Sequence, residues 1–241
     1  MTPARIELDQ VGFAVAGKVI LSGLTLRASE RRIGIVGRNG SGKTTLARLL
    51  AGLIVPTGGK ARIEGVDIAE DRRTALRTVG ILFQNPDHQI IFPTVEEEIA
   101  FGLRQLGHSK DQARAEVHNI LAGFGKAHWA AAPIQQLSQG QRQLVCLMAV
   151  LAMRPAVIIL DEPFGGLDIP TRMQLCRHLD ALEQTLVQIS HDPSTLENYQ
   201  QVIWLDEGRI LADGPPAEVL PAFCRAMQKI GGGDDLSYLA G

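Results

Sequence analysis

Residues 37–44 read GRNGSGKT, directly after the apolar run IGIV (33–36) and running into TTLARLLAGL (44–53), which carries helical spacing. No other stretch limits the fold so tightly. The pattern G-x-x-x-x-G-K-[ST] between a strand and a helix is a phosphate-binding loop: glycines let backbone N–H groups close around phosphates, and the helix N-terminus adds its dipole. From the chain's own frequencies of Gly, Lys and Ser/Thr, a chance match arises on the order of once in 200 such sequences. Gly37, Asn39, Gly40, Ser41, Gly42, Lys43, Thr44 and Thr45 therefore make up a candidate nucleotide-binding loop. Lys43 is expected to reach the terminal phosphates, and the Thr44 hydroxyl to hold Mg²⁺. A merely glycine-rich turn is the weaker alternative.

Composition narrows what can use such a loop. The chain has 241 residues, 45% hydrophobic and 21% charged, which describes an ordinary globular protein with a sizeable core. A formal charge of −2 provides no basic footprint, so no nucleic-acid partner is expected. Cys146, Cys176 and Cys224 fit neither a metal site nor a disulfide framework, and a reducing compartment is expected. The start MTPARIELDQ lacks a charged-then-apolar signal pattern, so export is not expected. The longest apolar run, LVCLMAVLAM (144–153), is about half of the ~20 residues a membrane-spanning helix needs.

Along the chain, short apolar runs alternate with helical ones. RIELDQV (5–11), VILSGLTLRA (19–28), RRIGIVG (31–37), ARIEGV (61–66) and TVGILF (78–83) read as strands, with a helix over 44–53 closed by Pro56. Residues 84–135 show no strand. Thr94 with Glu97 and Ser109 with Gln112 mark capping boxes opening two helices, the second ended by GFG (123–125). Alternation then resumes: a helix from Gln139, strand AVIIL (156–160), a helix from Pro170, strands LVQIS (186–190), VIWLD (202–206) and RILAD (209–213), and a helix from Pro216. Short apolar strands between helices predict an α/β fold with a mostly parallel sheet covered on both faces. The tail IGGGDDLSYLAG (230–241) is expected to be loose.

VIILDE (157–162) completes the chemistry. An apolar strand ending in two carboxylates puts them at the carboxyl edge of the sheet, where α/β sites lie. Asp161 suits a Mg²⁺ held through water, and Glu162 suits proton abstraction from an attacking water.

LSQGQRQ (137–143), DEPFGGLD (161–168) and SHD (190–192) follow the phosphate loop in an order and spacing that resemble the ATPase domains of ABC transporters. The resemblance spans RIELDQV to about Val219. It implies a P-loop NTPase core with a mostly parallel sheet, an N-terminal antiparallel β subdomain and an inserted helical subdomain over about 84–153. All of these lie within one ATPase domain over 1–229.

LSQGQ resembles the ABC signature. The resemblance implies that Ser138, Gly140 and Gln141 bind the γ-phosphate held by the phosphate loop of a second subunit, so two copies sandwich ATP. Gln139 stands where the family usually has glycine. Gln84 resembles the glutamine that contacts Mg²⁺ and the attacking water. His191 resembles the switch histidine on the γ-phosphate, and Asp168 the aspartate that crosses the dimer interface. The remaining histidines are expected at the surface. Val15 stands where the family usually stacks an aromatic ring on adenine, which implies aliphatic contact with the base; Phe13 is expected in the core.

NPDHQ (85–89) followed by TVEEEI (94–99) resembles the ATPases of energy-coupling factor importers of vitamins and, in relatives, cobalt or nickel. The short chain with its full motif set resembles the single-ATPase systems of biotin importers, with cobalt or nickel importers second and a soluble ABC ATPase third. The implied partners are an integral membrane coupling subunit and a membrane subunit that binds substrate, and the implied place is the cytoplasmic face of the membrane. The cofactors implied are ATP and Mg²⁺.

Overall fold

The computed structural model describes residues 2–231. The chain opens with the hairpin β1 (Ile6–Val15) and β2 (Lys18–Ala28), then β3 (Arg32–Val36), α1 (Lys43–Leu50), β4 (Gly58–Ile63) and β5 (Val66–Asp67). Next come α2 (Arg72–Thr78), β6 (Val79–Leu82), α3 (Val95–Gln105), α4 (Lys110–Gly123), α5 (Gln139–Ala152), β7 (Val157–Asp161) and α6 (Ile169–Asp180). Strands β8 (Thr185–Ile189), β9 (Gln201–Asp206) and β10 (Arg209–Gly214) lead to α7 (Pro216–Gly231). The described residues form two compact units, one from Thr2–Ala75 with 185–231, the other from Leu76–Gln184.

In the first unit, β1 pairs antiparallel with β2 and β4, and β4 with β5. Alternation buries Ile6, Leu8, Leu24 and Leu26. Residues 61–66, read as one strand, are two. Glu64 and Gly65 both take positive φ, 53° and 76°, and make the two-residue turn of a hairpin that pairs Ile63 with Val66. Phe13 lies between two irregularities of the β1–β2 register, near the turn of the hairpin, and is half-buried, not a core residue.

The same unit holds the parallel strands. β3 lies between β8 and β9, parallel to both, and β10 closes that edge antiparallel to β9. Ile33, Ile35, Val187, Ile189, Val202 and Ile203 are buried on consecutive or alternate positions, as strands covered on both faces require. Helix α1 stops at Leu50, short of the expected 53. Gly52 takes φ 69°, and the N–H groups of Gly52 and Leu53 turn back to the carbonyls of Leu49 and Arg48.

The second unit joins a parallel pair, β6 with β7, to three helices. Val95, Ile99 and Leu103 on α3, Val117 and Leu121 on α4, and Val145 and Met148 on α5 meet around Trp129. Their spacing of three and four places one stripe per helix in that core. Ser109 and Gln112 form the expected reciprocal capping box, and α4 ends at Gly123 as read. Thr94 caps α3 by accepting from the Glu97 N–H, but its hydroxyl donates to the Glu97 carboxylate at 2.5 Å, so the second half of that box is replaced. Residues 84–135 contain only one isolated bridge, Thr94 to Pro133. Helix α2 went unread; its signal was Asp71, which accepts from the Thr74 N–H at 3.0 Å. His88, His118 and His128 are exposed, whereas His108 and His178 are half-buried. The His178 ring lies 4.3 Å from that of Phe124, and burial lowers its pKa.

Among the described residues no helix is long and apolar enough to cross a membrane. Ile230 and Gly231, read as the start of a loose tail, end α7; residues 232–241 lie outside the described residues.

The three-helix core sets a first test. Ile99 is fully buried between α4 and α5. Ile99→Ala should cost about 2–5 kcal/mol in denaturant unfolding. A loss below ~1 kcal/mol would mean that the helices do not pack on that stripe.

Candidate functional site

Strand β3 delivers Gly37 at its carboxyl end, and the loop to α1 is held by backbone and buried side chains. A Cβ on Gly37 would fall 2.1 Å from the Leu205 carbonyl oxygen, so only glycine fits there. Gly42 is the N-cap of α1 at φ 101°, with no side chain capping the helix. The first N–H groups of α1 therefore stay available to an anion. Lys43 is buried, and its ammonium donates to the carbonyls of Gly37 and Arg38 at 2.7 Å each. The Ser41 hydroxyl is buried with no partner among the described residues. Asn39, Gly40 and Thr44 are exposed, and Thr45 is half-buried. An uncapped helix start, a curled lysine and an orphaned hydroxyl fit a phosphate chain.

Two contacts that sequence reading missed brace this loop. The Arg38 guanidinium meets Asp206 with Nε–Oδ1 at 3.0 Å and Nη2–Oδ2 at 3.4 Å, which raises the guanidinium pKa. The Gly208 N–H donates to the Ser41 carbonyl at 3.0 Å. The carboxylate ending VIWLD was the only trace of this clamp in the sequence. His191 is exposed after β8 and lines a cavity of about 550 Å³ with Gly37, Arg38, Asn39, Phe223 and Met227.

The second unit carries the carboxylates. β7 ends in Asp161, buried, and Glu162 follows at φ 50°, a left-handed conformation unusual for a side chain with a Cβ. The Gly165 N–H donates back to the Glu162 carbonyl at 3.2 Å, closing a tight turn. Gln84 leaves the end of β6 exposed, and its Nε2 lies 3.2 Å from where a Cβ on Gly165 would sit. The structure thus brings Gln84 to the Glu162 turn. Asp168 is the N-cap of α6, accepting from the Thr171 N–H at 2.9 Å, and Thr171 holds its carboxyl below the usual range.

LSQGQ opens α5 with a full capping box. Ser138 Oγ accepts from the Gln141 N–H at 3.3 Å, and the Ser138 N–H donates to Gln141 Oε1 at 2.8 Å. The S-x-x-Q signal was present in the sequence and went unread. Gln141 is thereby committed to the cap, while the exposed Ser138 keeps its hydroxyl proton to donate. A Cβ on Gly140 would fall 2.5 Å from Thr171 Cγ2, so the start of α5 presses on the first turn of α6.

A groove of about 310 Å³ lies on the same unit, lined by Asp87, Ile91, Phe92, Ile134 and Arg142 among others. Ile91 is 68% exposed there. Glu98, the third of the three glutamates, is buried and accepts from the N–H groups of Ile91 and Phe92 at 2.8 and 2.9 Å. It shapes the groove, a use that its place in a first helical turn did not reveal.

The chain as a whole is similar to known proteins. The ABC transporter family model matches residues 22–165. The biotin transport ATP-binding protein BioM of Rhodobacter capsulatus is 52% identical, over 93% of this chain and 96% of its own length. The energy-coupling factor transporter ATP-binding protein EcfA1 of Ligilactobacillus salivarius is 37% identical, over 89% of this chain and 79% of its own. Among solved structures, CbiO1 of Clostridium perfringens, part of the ABC transporter complex cbiONQ, superposes with a TM-score of 0.77 at 28% identity, covering 95% of this chain and 94% of that one. With the loop, the carboxylate-ended strand and the capped LSQGQ helix all in place, this chain belongs to the ABC transporter family.

Proposed function

We propose that this chain is the ATP-hydrolysing subunit of an energy-coupling factor importer and that the vitamin imported is biotin. The similarity to BioM over nearly the whole of both chains carries the reading of substrate. Cobalt or nickel import, implied by the resemblance of NPDHQ and TVEEEI to the same branch, stands second.

In this reading the uncapped start of α1, with Lys43, Asn39, Gly40, Ser41, Gly42, Thr44 and Thr45, holds the phosphates of ATP. Thr44 on one unit and Gln84 and Asp161 on the other are the residues that would hold Mg²⁺, which would supply charge neutralisation to phosphoryl transfer. Glu162 accepts a proton from the attacking water, Gln84 orients that water, and His191 contacts the γ-phosphate. Ser138 and the Gly140 N–H offer a second anion corner. Gln141 steadies that corner through the capping box. A corner already capped by its own Gln141, in a stretch that resembles the ABC signature, fits a phosphate held by another chain, so the working form is a homodimer in which Asp168 faces the partner. One domain over 1–229, with the helices of about 84–153 inserted, serves both roles.

The groove beside Ile91 and Asp87 takes the membrane coupling subunit, which works with a substrate-binding membrane subunit. The chain then sits on the cytoplasmic face of the membrane. No nucleic acid is involved. Val15, 56% exposed on the β1–β2 hairpin, offers the base an aliphatic surface and no ring.

Two measurements test this reading. Co-expressed with its membrane subunits, the chain should drive uptake of labelled biotin. Glu162→Gln should abolish uptake, lower ATP turnover by a factor on the order of 10²–10⁴, and trap a nucleotide-bound dimer. Uptake of cobalt without biotin would move the substrate to the second reading; near-normal turnover in the variant would remove Glu162 from its role.

The base contact gives the other. Val15→Tyr should tighten ATP binding by roughly 1 kcal/mol, the lower end for base–aromatic stacking, and sharpen the preference for ATP over GTP. Unchanged affinity by calorimetry would show that another side chain already covers the base.

A further inference from the structure

Helix α5 reaches the segment around Gln84 twice, just one turn after the LSQGQ corner. Gln143 is 2% exposed, and its Nε2 donates to the carbonyl of Phe83, the residue before Gln84, at 3.0 Å. Its Oε1 is buried without a hydrogen-bond partner among the described residues. Arg142, the residue beside it, forms an ion pair with Asp87 at 3.2 Å, although its Nε lacks hydrogen-bond geometry. The two contacts fall on either side of Gln84. The segment carries local hydrogen bonds of its own: Asn85 accepts from the Asp87 N–H at 3.0 Å, and the Phe83 N–H donates to Gln89 Oε1 at 3.2 Å. Gln84 itself is exposed, with its amide beside the Glu162 turn at Gly165.

A glutamine in the apolar second turn of a core helix is costly to bury unless its amide is used. A surface polar residue would not need to be there. Here the amide is spent on the backbone that carries Gln84.

We propose that Gln143 and Arg142 are positioning residues that hold the chain's own Gln84 from the signature helix. The inference rests on the reading of Gln84 as a Mg²⁺ and water contact and of LSQGQ as an anion corner. From Ser138 to Gln143 the helix advances only about 7.5 Å, at 1.5 Å per residue. A phosphate drawn onto Ser138 and Gly140 therefore bears on a helix whose next turn holds the chain on either side of Gln84. The corner that serves the partner's nucleotide also sets the geometry of the chain's own hydrolytic site. Arg142 and Asp87 line the groove as well, so a membrane subunit docked there bears on the same brace.

The test is Gln143→Met, which keeps the volume and removes the donor, beside Arg142→Met, a half-buried position at which folding is not at stake. ATP binding without Mg²⁺ should match the wild type in both. For Gln143→Met, kcat should fall about ten- to a hundredfold, and the Mg²⁺ concentration for half-maximal turnover should rise about tenfold or more, as loss of a supporting contact to a metal ligand does. Arg142→Met should move both in the same direction by less. In a Glu162→Gln background, where turnover plays no part, Gln143→Met should likewise raise the Mg²⁺ needed for ATP-driven dimer formation.

A melting temperature lowered by Gln143→Met, with kcat and Mg²⁺ dependence within about twofold of wild type, would overturn the inference and leave Gln143 a structural cap of β6. Should Gln143→Met not fold, Arg142→Met decides by the same criteria. Gln84→Ala separates the inference from the reading beneath it. If Gln84→Ala alters Mg²⁺ dependence and Gln143→Met does not, only the brace fails; if Gln84→Ala alters nothing, the role of Gln84 fails with it.

Discussion

The buried ammonium of Lys43, bonded to the carbonyls of Gly37 and Arg38, is the interaction on which the rest of the candidate site depends. A buried cation is tolerable only when its donors are met, and two carbonyls of its own loop meet two of the three. Those carbonyls are thereby engaged, and the start of α1 is left without a side-chain cap. The loop is thus held by its own side chain and backbone. Arg38 on Asp206 and Gly208 on Ser41 fix the same loop from behind.

The second unit answers with a different device. Its helices α5 and α6 are both capped by their own side chains, Ser138 with Gln141 and Asp168 with the Thr171 N–H. Neither helix start is an open cradle like that of α1. What α5 offers is a serine hydroxyl and a glycine backbone at a corner that already satisfies itself. That corner suits a phosphate brought to it, not one it must capture alone. Glu162 in its left-handed turn and Gln84 beside Gly165 complete the chemistry on this unit.

Sequence reading found what is local. GRNGSGKT, VIILDE, the Ser109 box and the strand–helix alternation each state their structure within a few residues. A family resemblance then extended these to LSQGQ, Asp168 and His191. What stayed hidden joins positions that no short motif spans: Arg38 with Asp206, buried Glu98 with Ile91 and Phe92 seven and six residues back, and Gln143 with Phe83 sixty residues away. Composition and periodicity carry no signal for such pairs. Some local errors came from reading pattern before turn chemistry. Glu64–Gly65 split an expected strand because both residues take positive φ, and Gly52 ended α1 early for the same reason. Asp71 and the Ser138 box were legible and simply passed over.

The central claim is that LSQGQ completes a site on another copy of the chain. The direct test mixes two variants, one with Asn39→Cys in the phosphate loop and one with Gln139→Cys at the signature, each with Cys176 and Cys224 changed to serine and Glu162→Gln to slow turnover. The account predicts disulfide-linked dimers of one variant with the other that form with ATP and Mg²⁺ and not without nucleotide. A crosslinked fraction that ignores ATP, or none at all under conditions where both chains bind nucleotide, would contradict it and leave LSQGQ as the cap of its own helix.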